Sequence, residues 1–226
     1  MEKAIIFDSG TIINFALNGL FKEIEELKKI FNGKFIITKE VKKEIVDKPL
    51  EIKKFELEAL KIKELIEKKV FEMPSSFGID EKELFEKTEI LNNKANSIFS
   101  ARGNFIHIVD LAEISCLALS KMLKEKSIEN LIAVDERTIR MLSEKPDNLV
   151  KILESKLHTK ISYSSAKFLE FKDFNFIRSA ELMFIAYKKG IIKIKDKRLL
   201  DALLYALKYH GCSISDEEIQ EIKDLD

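Results

Sequence analysis

The chain has 226 residues, with 39 basic and 39 acidic side chains, 46% hydrophobic residues, seven glycines, three prolines and no tryptophan. That balance excludes a disordered or collagen-like chain, and a formal net charge of zero leaves no global field to draw in nucleic acid. Any phosphate-binding surface must therefore come from local segregation of charge, within a length that suits one domain plus decoration.

Ala4-Ile5-Ile6-Phe7 is a continuous apolar run stopped by Asp8-Ser9-Gly10-Thr11, the pattern of a buried strand running into a polar turn. The spacing from Ile12 to Phe31 predicts a helix with Lys and Glu on its outer side. Phe35-Ile36-Ile37 reads as a second strand, and Thr38 as the N-cap of a helix that carries Val41, Glu44 and Ile45 and that Pro49 ends or interrupts. From Glu51 to Lys69 the pattern is an amphipathic helix with Phe55, Leu57, Leu60, Ile62, Leu65 and Ile66 inward, followed by a short strand near Val70-Phe71.

Pro74 to Gly78 is a loop, and Asp80 to about Phe99 another helix. Arg102-Gly103-Asn104 turns the chain into Leu111–Leu123, an apolar helix entered through Asp110. Leu131-Ile132-Ala133-Val134 is a strand ended by Asp135-Glu136-Arg137, which opens a short helix through Leu142. Lys160 to Tyr163 is the candidate fifth strand, and Ala180–Lys189, Lys197–Tyr209 and Ser215–Ile222 read as three closing helices. Strands alternating with helices predict a parallel sheet covered by helices on both faces.

Cys116 and Cys212 lack metal-type spacing and read as reduced core thiols. The apolar start is too short for a signal peptide, and no apolar run is long enough to span a bilayer, so the expected location is the cytoplasm. The abundance of Lys, Glu and Ile is shared by thermophilic proteins and by products of AT-rich genomes.

In an open parallel sheet, ligands bind beyond the carboxyl ends of the strands, where Asp8 and Asp135 both fall. Two carboxylates at the ends of buried strands are costly to keep ionised together unless a divalent cation, Mg²⁺ or Mn²⁺, neutralises them. Glu113 lies one turn into the apolar helix among Leu111, Ile114, Cys116 and Leu117, out of keeping with its neighbours, and Glu44 follows the second strand on its own helix. The bland alternatives are a helix cap for Asp8 and Asp135, a first-turn dipole acid for Glu113 with Asp110 the true crevice acid, and an ion-paired face for Glu44 beside Lys42, Lys43 and Lys48. If the acids are crowded, Asp8→Asn or Asp135→Asn should each stabilise the metal-free protein. Ser9 is a candidate for orienting Asp8 or a bound water, Arg137 and Arg140 for meeting phosphates, and Glu136 reads as a surface acid. His107, His158 and His210 show no zinc spacing.

These residues resemble the PIN-domain ribonucleases, archaeal type. Ile5-Ile6-Phe7-Asp8-Ser9-Gly10-Thr11-Ile12-Ile13 resembles their first motif, an Asp ending strand one before a small hydroxyl residue. Ile37-Thr38-Lys39-Glu40-Val41-Lys42-Lys43-Glu44-Ile45 is similar to the second, which closes on an acidic residue. Glu113-Ile114-Ser115-Cys116-Leu117-Ala118-Leu119 resembles the third motif and Leu131-Ile132-Ala133-Val134-Asp135-Glu136-Arg137 the fourth. Glu181 to Ile192 is similar to the segment that follows strand five.

The resemblance implies a single three-layer α/β/α domain with a five-stranded parallel sheet and extra helices, those being an elaboration over about 48–105 and a tail over about 166–226. It further implies Mg²⁺ or Mn²⁺ held by Asp8, Glu113, Asp135 and Glu44, hydrolysis of RNA, more readily single-stranded, an antitoxin or ribosome-related partner, and a homodimer. Two features depart from the family: the long 48–105 segment, and Glu113 where the family has Asp. Phe55, Phe71, Phe77, Phe85 and Phe99 within that segment suggest an aromatic dimer contact, unless all five rings are internal. Two rival readings are a PIN-like RNA-binding or assembly module without catalysis, and a haloacid-dehalogenase-type phosphatase. The phosphatase needs an acid where Gly10 stands.

Overall fold

The apolar runs at Ala4–Phe7, Phe35–Ile37 and Leu131–Val134 lie side by side at the centre of a computed structural model that describes residues 2–225. β1 (Lys3–Phe7) leads into α1 (Ser9–Leu17) and α2 (Phe21–Ile30). β2 (Lys34–Ile36) leads into α3 (Lys39–Lys42), which continues as a π-helical turn (Lys43–Asp47) and a 3-10 turn (Pro49–Glu51). Then come α4 (Glu56–Glu67), β3 (Phe71–Glu72), a 3-10 turn (Pro74–Phe77) and α5 (Glu81–Ala95). The hairpin of β4 (Phe99–Ala101) and β5 (Asn104–Phe105) precedes α6 (Leu111–Glu125), β6 (Glu129–Ala133), α7 (Arg137–Glu144) and α8 (Pro146–Leu157). The chain closes with β7 (Ser162–Tyr163), a 3-10 segment (Ser165–Phe171), β8 (Phe176–Ile177), α9 (Ser179–Lys188), α10 (Leu199–Tyr209) and α11 (Asp216–Asp224).

The main sheet is parallel throughout, in the order β3-β2-β1-β6-β8, and is flanked by helices. Ile5 pairs with Phe35 on one side and Leu131 on the other, so β1 is central. Because the chain winds outward from β1 first through β2 and β3 and later through β6 and β8, the strand order reverses between β1 and β6. A crevice opens at the carboxyl ends there. The buried core runs continuously from Ala4 to Ile222. Phe7, Phe35 and Phe71, on three adjacent strands, form its aromatic centre with ring centroids 4.9 to 6.4 Å apart. Among the described residues no helix is long and apolar enough to cross a membrane.

Several expectations change. The fifth strand is β8 and not Lys160–Tyr163, whose β7 belongs to a small antiparallel sheet with β4 and β5. The Ile12–Phe31 helix is two helices, broken at Gly19, whose φ of 69° lies where only glycine is at ease. Phe99 leaves α5 and becomes the first residue of β4, and α8 is an additional helix that the sequence pattern does not predict. In α4 the inward face is Ala59, Ile62 and Leu65, whereas Phe55, Leu57 and Leu60 face solvent. Of the five rings in the 48–105 segment, Phe71, Phe77 and Phe99 are core and only Phe55 and Phe85 are exposed.

Candidate active site

Asp8 is the first residue beyond β1, and its amide donates to the Ala133 carbonyl at 2.9 Å, so the sheet hydrogen bonding extends to the site itself. Its side chain caps α1: Oδ2 accepts from the Gly10 amide at 3.2 Å. The cap explains only one oxygen. Asp8 is buried, and Oδ1 has no hydrogen-bond partner. Burial holds its carboxyl up at about 6, with the charges of Glu44 and Asp135 adding to the rise against the amides of Gly10 and Ser9.

Glu44 and Glu113 reach the same cleft from two different helices. Thr38 caps α3 by accepting from the Val41 amide, and its hydroxyl sits 2.6 Å from that of Ser115 in α6, which in turn donates to the Ala112 carbonyl. This buried hydroxyl pair fixes the helix bearing Glu44 against the helix bearing Glu113. Glu44 lies in the π-helical turn, a local widening that recurs at functional sites, and of the three lysines near it in sequence, Lys42, Lys43 and Lys48, Lys42 pairs instead with Asp47 at 3.1 Å. Glu113 Oε2 accepts from the Asp110 amide at 3.0 Å, so the first-turn capping role is real and coexists with a place in the cleft. Burial, then the charge of Asp8, then those of Glu136 and Asp110, raise the Glu113 carboxyl to about 8.

The cleft has a volume of about 430 Å³. Besides Asp8, Glu44 and Glu113 it is lined by Asp110, by Glu136, and by the Ser9–Gly10 backbone turn, and it holds no Lys or Arg. Glu136, read from sequence as a surface acid, thus belongs to its wall. Asp110 is exposed there and its carboxylate meets His107 at 3.1 Å. Ser9, the candidate for orienting Asp8, sits beside it at the start of α1 and is buried.

Asp135 is placed differently. It lies two residues beyond β6 and is as buried as Asp8, but Oδ1 accepts from the Ser179 amide at 2.8 Å and Oδ2 from the Asn14 amide group at 2.9 Å. It does not line the cleft and instead joins α1, α9 and the Cys212–Ser213 segment, where Ser213 N–H donates to its carbonyl at 3.1 Å. Cys212, one of two free buried thiols, is pushed up to about 12 by burial and by Asp135. Asn14 and Ser179 had no signal in sequence beyond an amide set between Ile13 and Phe15 in an apolar helix, and a serine opening another.

Against protein-family models, curated proteins and solved structures, the chain finds no match. The likeness to PIN domains is therefore carried by the sequence motifs alone. Among the described residues no three His, Cys, Asp or Glu side chains converge closely enough to form a ready metal site. The donor chemistry still fits a hard divalent cation: carboxylate oxygens from several segments, one of them buried and unpartnered, beside a neighbouring acid, Glu113, whose ionisation burial suppresses.

Proposed function

We propose that the chain is a divalent-metal-dependent ribonuclease of the PIN-domain kind, hydrolysing RNA phosphodiesters in the cleft of Asp8, Glu44 and Glu113. The reading rests chiefly on the unpartnered Oδ1 of Asp8, at the sheet's switch point among carboxylates from three further segments. A fold tolerates an orphaned buried oxygen and crowded acids poorly unless something occupies the site. In this reading Asp8, Glu44 and Glu113 would hold Mg²⁺ or Mn²⁺, which would supply a bound water more acidic than bulk water and a counter-charge for the phosphate.

The protein's own residues set the stage. The Gly10 amide fixes the Asp8 carboxylate, the Thr38–Ser115 pair fixes the two helices, and burial raises the Glu113 carboxyl to about 8, so that it holds a proton at neutral pH. Asp135, with both oxygens engaged, acts as a positioning residue that ties α9 and α1 to the end of β6. Purified protein is expected to cleave single-stranded RNA with added Mn²⁺ and to stop in chelator, and Asp8→Asn is expected to lose roughly 10³-fold or more in turnover. Equal cleavage in chelator overturns the metal mechanism. RNA binding with no cleavage under any divalent ion makes the chain a non-catalytic module.

A further inference from the structure

The carboxylate cleft poses an electrostatic problem for the ribonuclease reading. Five acids line it, Asp8, Glu44, Asp110, Glu113 and Glu136, with no Lys or Arg among them. A polyanion cannot be retained by such a surface through its own charge, and a net charge of zero gives no help from elsewhere. The missing cations stand next door. Glu136 ends the cleft wall, and the next residue, Arg137, opens a second cavity of about 590 Å³ between α7 and the α10–α11 connection.

This second cavity has more positive charge than its partners use. Arg137, Arg140 and Lys145 line it, and none forms an ion pair among the described residues. Arg140 is the most telling. Its Nη2 donates to the Ser213 carbonyl at 3.0 Å, but Nε is buried without a partner. The same carbonyl accepts from Arg178 Nη1 at 3.2 Å, which brings a second guanidinium alongside. Arg178 is offset by Glu181 and Glu218, at 2.5 and 2.8 Å, whereas Arg140 has no such counter-ion. Burial, and next the Arg178 charge, lower the Arg140 pKa, with the charges of Glu144 and Glu181 offsetting only part of the fall. Lys208 adds a fourth cation, paired with Asp216 at 2.7 Å. Against these stand Glu218, which Arg178 already holds, and Glu144 at the rim. Asn148 on the wall adds an uncharged hydrogen-bonding group.

We propose that this cavity binds a backbone phosphate of the RNA strand whose scissile bond lies in the carboxylate cleft, with Arg137, Arg140 and Lys145 as the phosphate-binding residues. The assignment rests on the ribonuclease reading, and it explains how an acidic cleft in a neutral protein keeps hold of a polyanion. Phosphodiester oxygens suit the site because arginine presents a planar fork of donors to them, and because they bring the negative charge that Arg140 lacks.

The test is binding without turnover: fluorescence anisotropy of a short labelled single-stranded RNA in chelator, across a series of salt concentrations. Arg137→Gln/Lys145→Gln removes two exposed cations that no ion pair uses, so the fold should hold. Lys156→Gln/Lys160→Gln, equally exposed and outside the cavity, is the charge-matched control. The cavity variant should bind more weakly, and the slope of log affinity against log salt should become shallower by about 0.7, the value for one lost phosphate contact on a single strand. The control should keep the wild-type slope. Arg140→Gln should behave as the cavity variant does, with its melting curve recorded to separate binding from folding. Equal losses in cavity variant and control, or no loss in either, overturn the proposal. If millimolar inorganic phosphate raises the melting temperature of the wild type while both variants bind RNA as the wild type does, the cavity is a free-phosphate site and the strand assignment fails. The two readings fail separately: a changed slope without Mn²⁺-dependent cleavage keeps the cavity and loses the nuclease, and cleavage with an unchanged slope does the reverse.

Discussion

Asp8 and Asp135 both lie just past the apolar runs of neighbouring parallel strands, Asp135 one residue further along in the register that pairs Phe7 with Ala133, and both are buried, yet the protein treats them in opposite ways. Asp135 receives a donor on each oxygen, from Ser179 and Asn14. Asp8 accepts from the Gly10 amide on Oδ2, with the Ser9 amide also favouring its charged form, and Oδ1 is left without a partner among further acids. Burial is thus equal and satisfaction is not. A saturated carboxylate stabilises the joints it makes, whereas a bare one beside like charges costs stability and is retained for what it can bind.

The largest expected effect comes from unsaturating the satisfied acid. In Asp135→Asn one oxygen becomes an NH₂ that must face either the Ser179 N–H or the Asn14 NH₂, and Asn14 cannot turn over without losing its bond to the Leu207 carbonyl at 3.0 Å. A donor–donor contact in the core should cost about 3 kcal/mol, lowering Tm by roughly 6–12 °C in a chain of this size. A thermal melt of the metal-free protein decides it. This reverses the expectation drawn from the sequence, in which both acids look crowded, because the network that satisfies Asp135 lies in residues far from it in the chain. An unchanged or raised Tm would mean the two acids are alike after all.

Asp8→Asn should move the other way. Held up at about 6 by burial and neighbouring charge, the Asp8 carboxyl binds its proton more tightly folded than unfolded. The folded state therefore loses stability as pH rises from the usual carboxylate range, near 4, through 6, and the penalty is complete above that. At pH 8 it amounts to at most about 3 kcal/mol, since each pH unit between the ordinary and the folded value contributes roughly 1.4 kcal/mol. In chelator the variant should melt several degrees above the wild type at pH 8, and the gap should close toward pH 4. Glu113, raised to about 8, extends the same trend, so wild-type stability should keep falling between pH 6 and 8. A gap that is constant with pH would show that Asp8 ionises freely. Added Mn²⁺ should stabilise the wild type more than the variant, narrowing the gap at high pH.

The contrast also marks what could be read in the sequence. Strands β1, β2 and β6 were legible because buried parallel strands read as unbroken apolar runs, and their acidic ends carried Asp8 and Asp135 into view with them. β8 was not: two residues, Phe176 and Ile177, half-buried at a sheet edge, carry no periodicity, and the Lys160–Tyr163 stretch has the more regular pattern. Glu113 stood out as a charge in an apolar helix, and Glu44 through its place after a capped strand. Glu136 did not, because an exposed acid at a helix N-cap is what any turn would carry, here accepting from the Thr138 amide at 3.2 Å. The 121 and 44 residues that separate Asn14 and Ser179 from Asp135 hide the satisfied half of the comparison from any local pattern.

The smallest predicted effect separates the two kinds of donor that saturate Asp135. Ser179 contributes its backbone N–H to the carboxylate, while its hydroxyl meets the Asn14 amide group at 3.3 Å and the Cys212 thiol. Asn14 Nδ2 already has shorter bonds to Asp135 and to the Leu207 carbonyl, enough for both of its hydrogens, so the hydroxyl's contact with Asn14 is redundant. Ser179→Ala keeps the N–H that matters, fits the same fully buried space and suits the first turn of a helix. It should shift stability by no more than about 0.5 kcal/mol, about 1–2 °C in Tm. Asn14→Ala in the same assay should cost several times more, since it strips Oδ2 of Asp135 of its donor and recreates on β6 the bare carboxylate found on β1. If Ser179→Ala destabilises as strongly as Asn14→Ala, then the hydroxyl is part of the clamp, and the saturation of Asp135 rests on side chains more than on the backbone that the fold supplies.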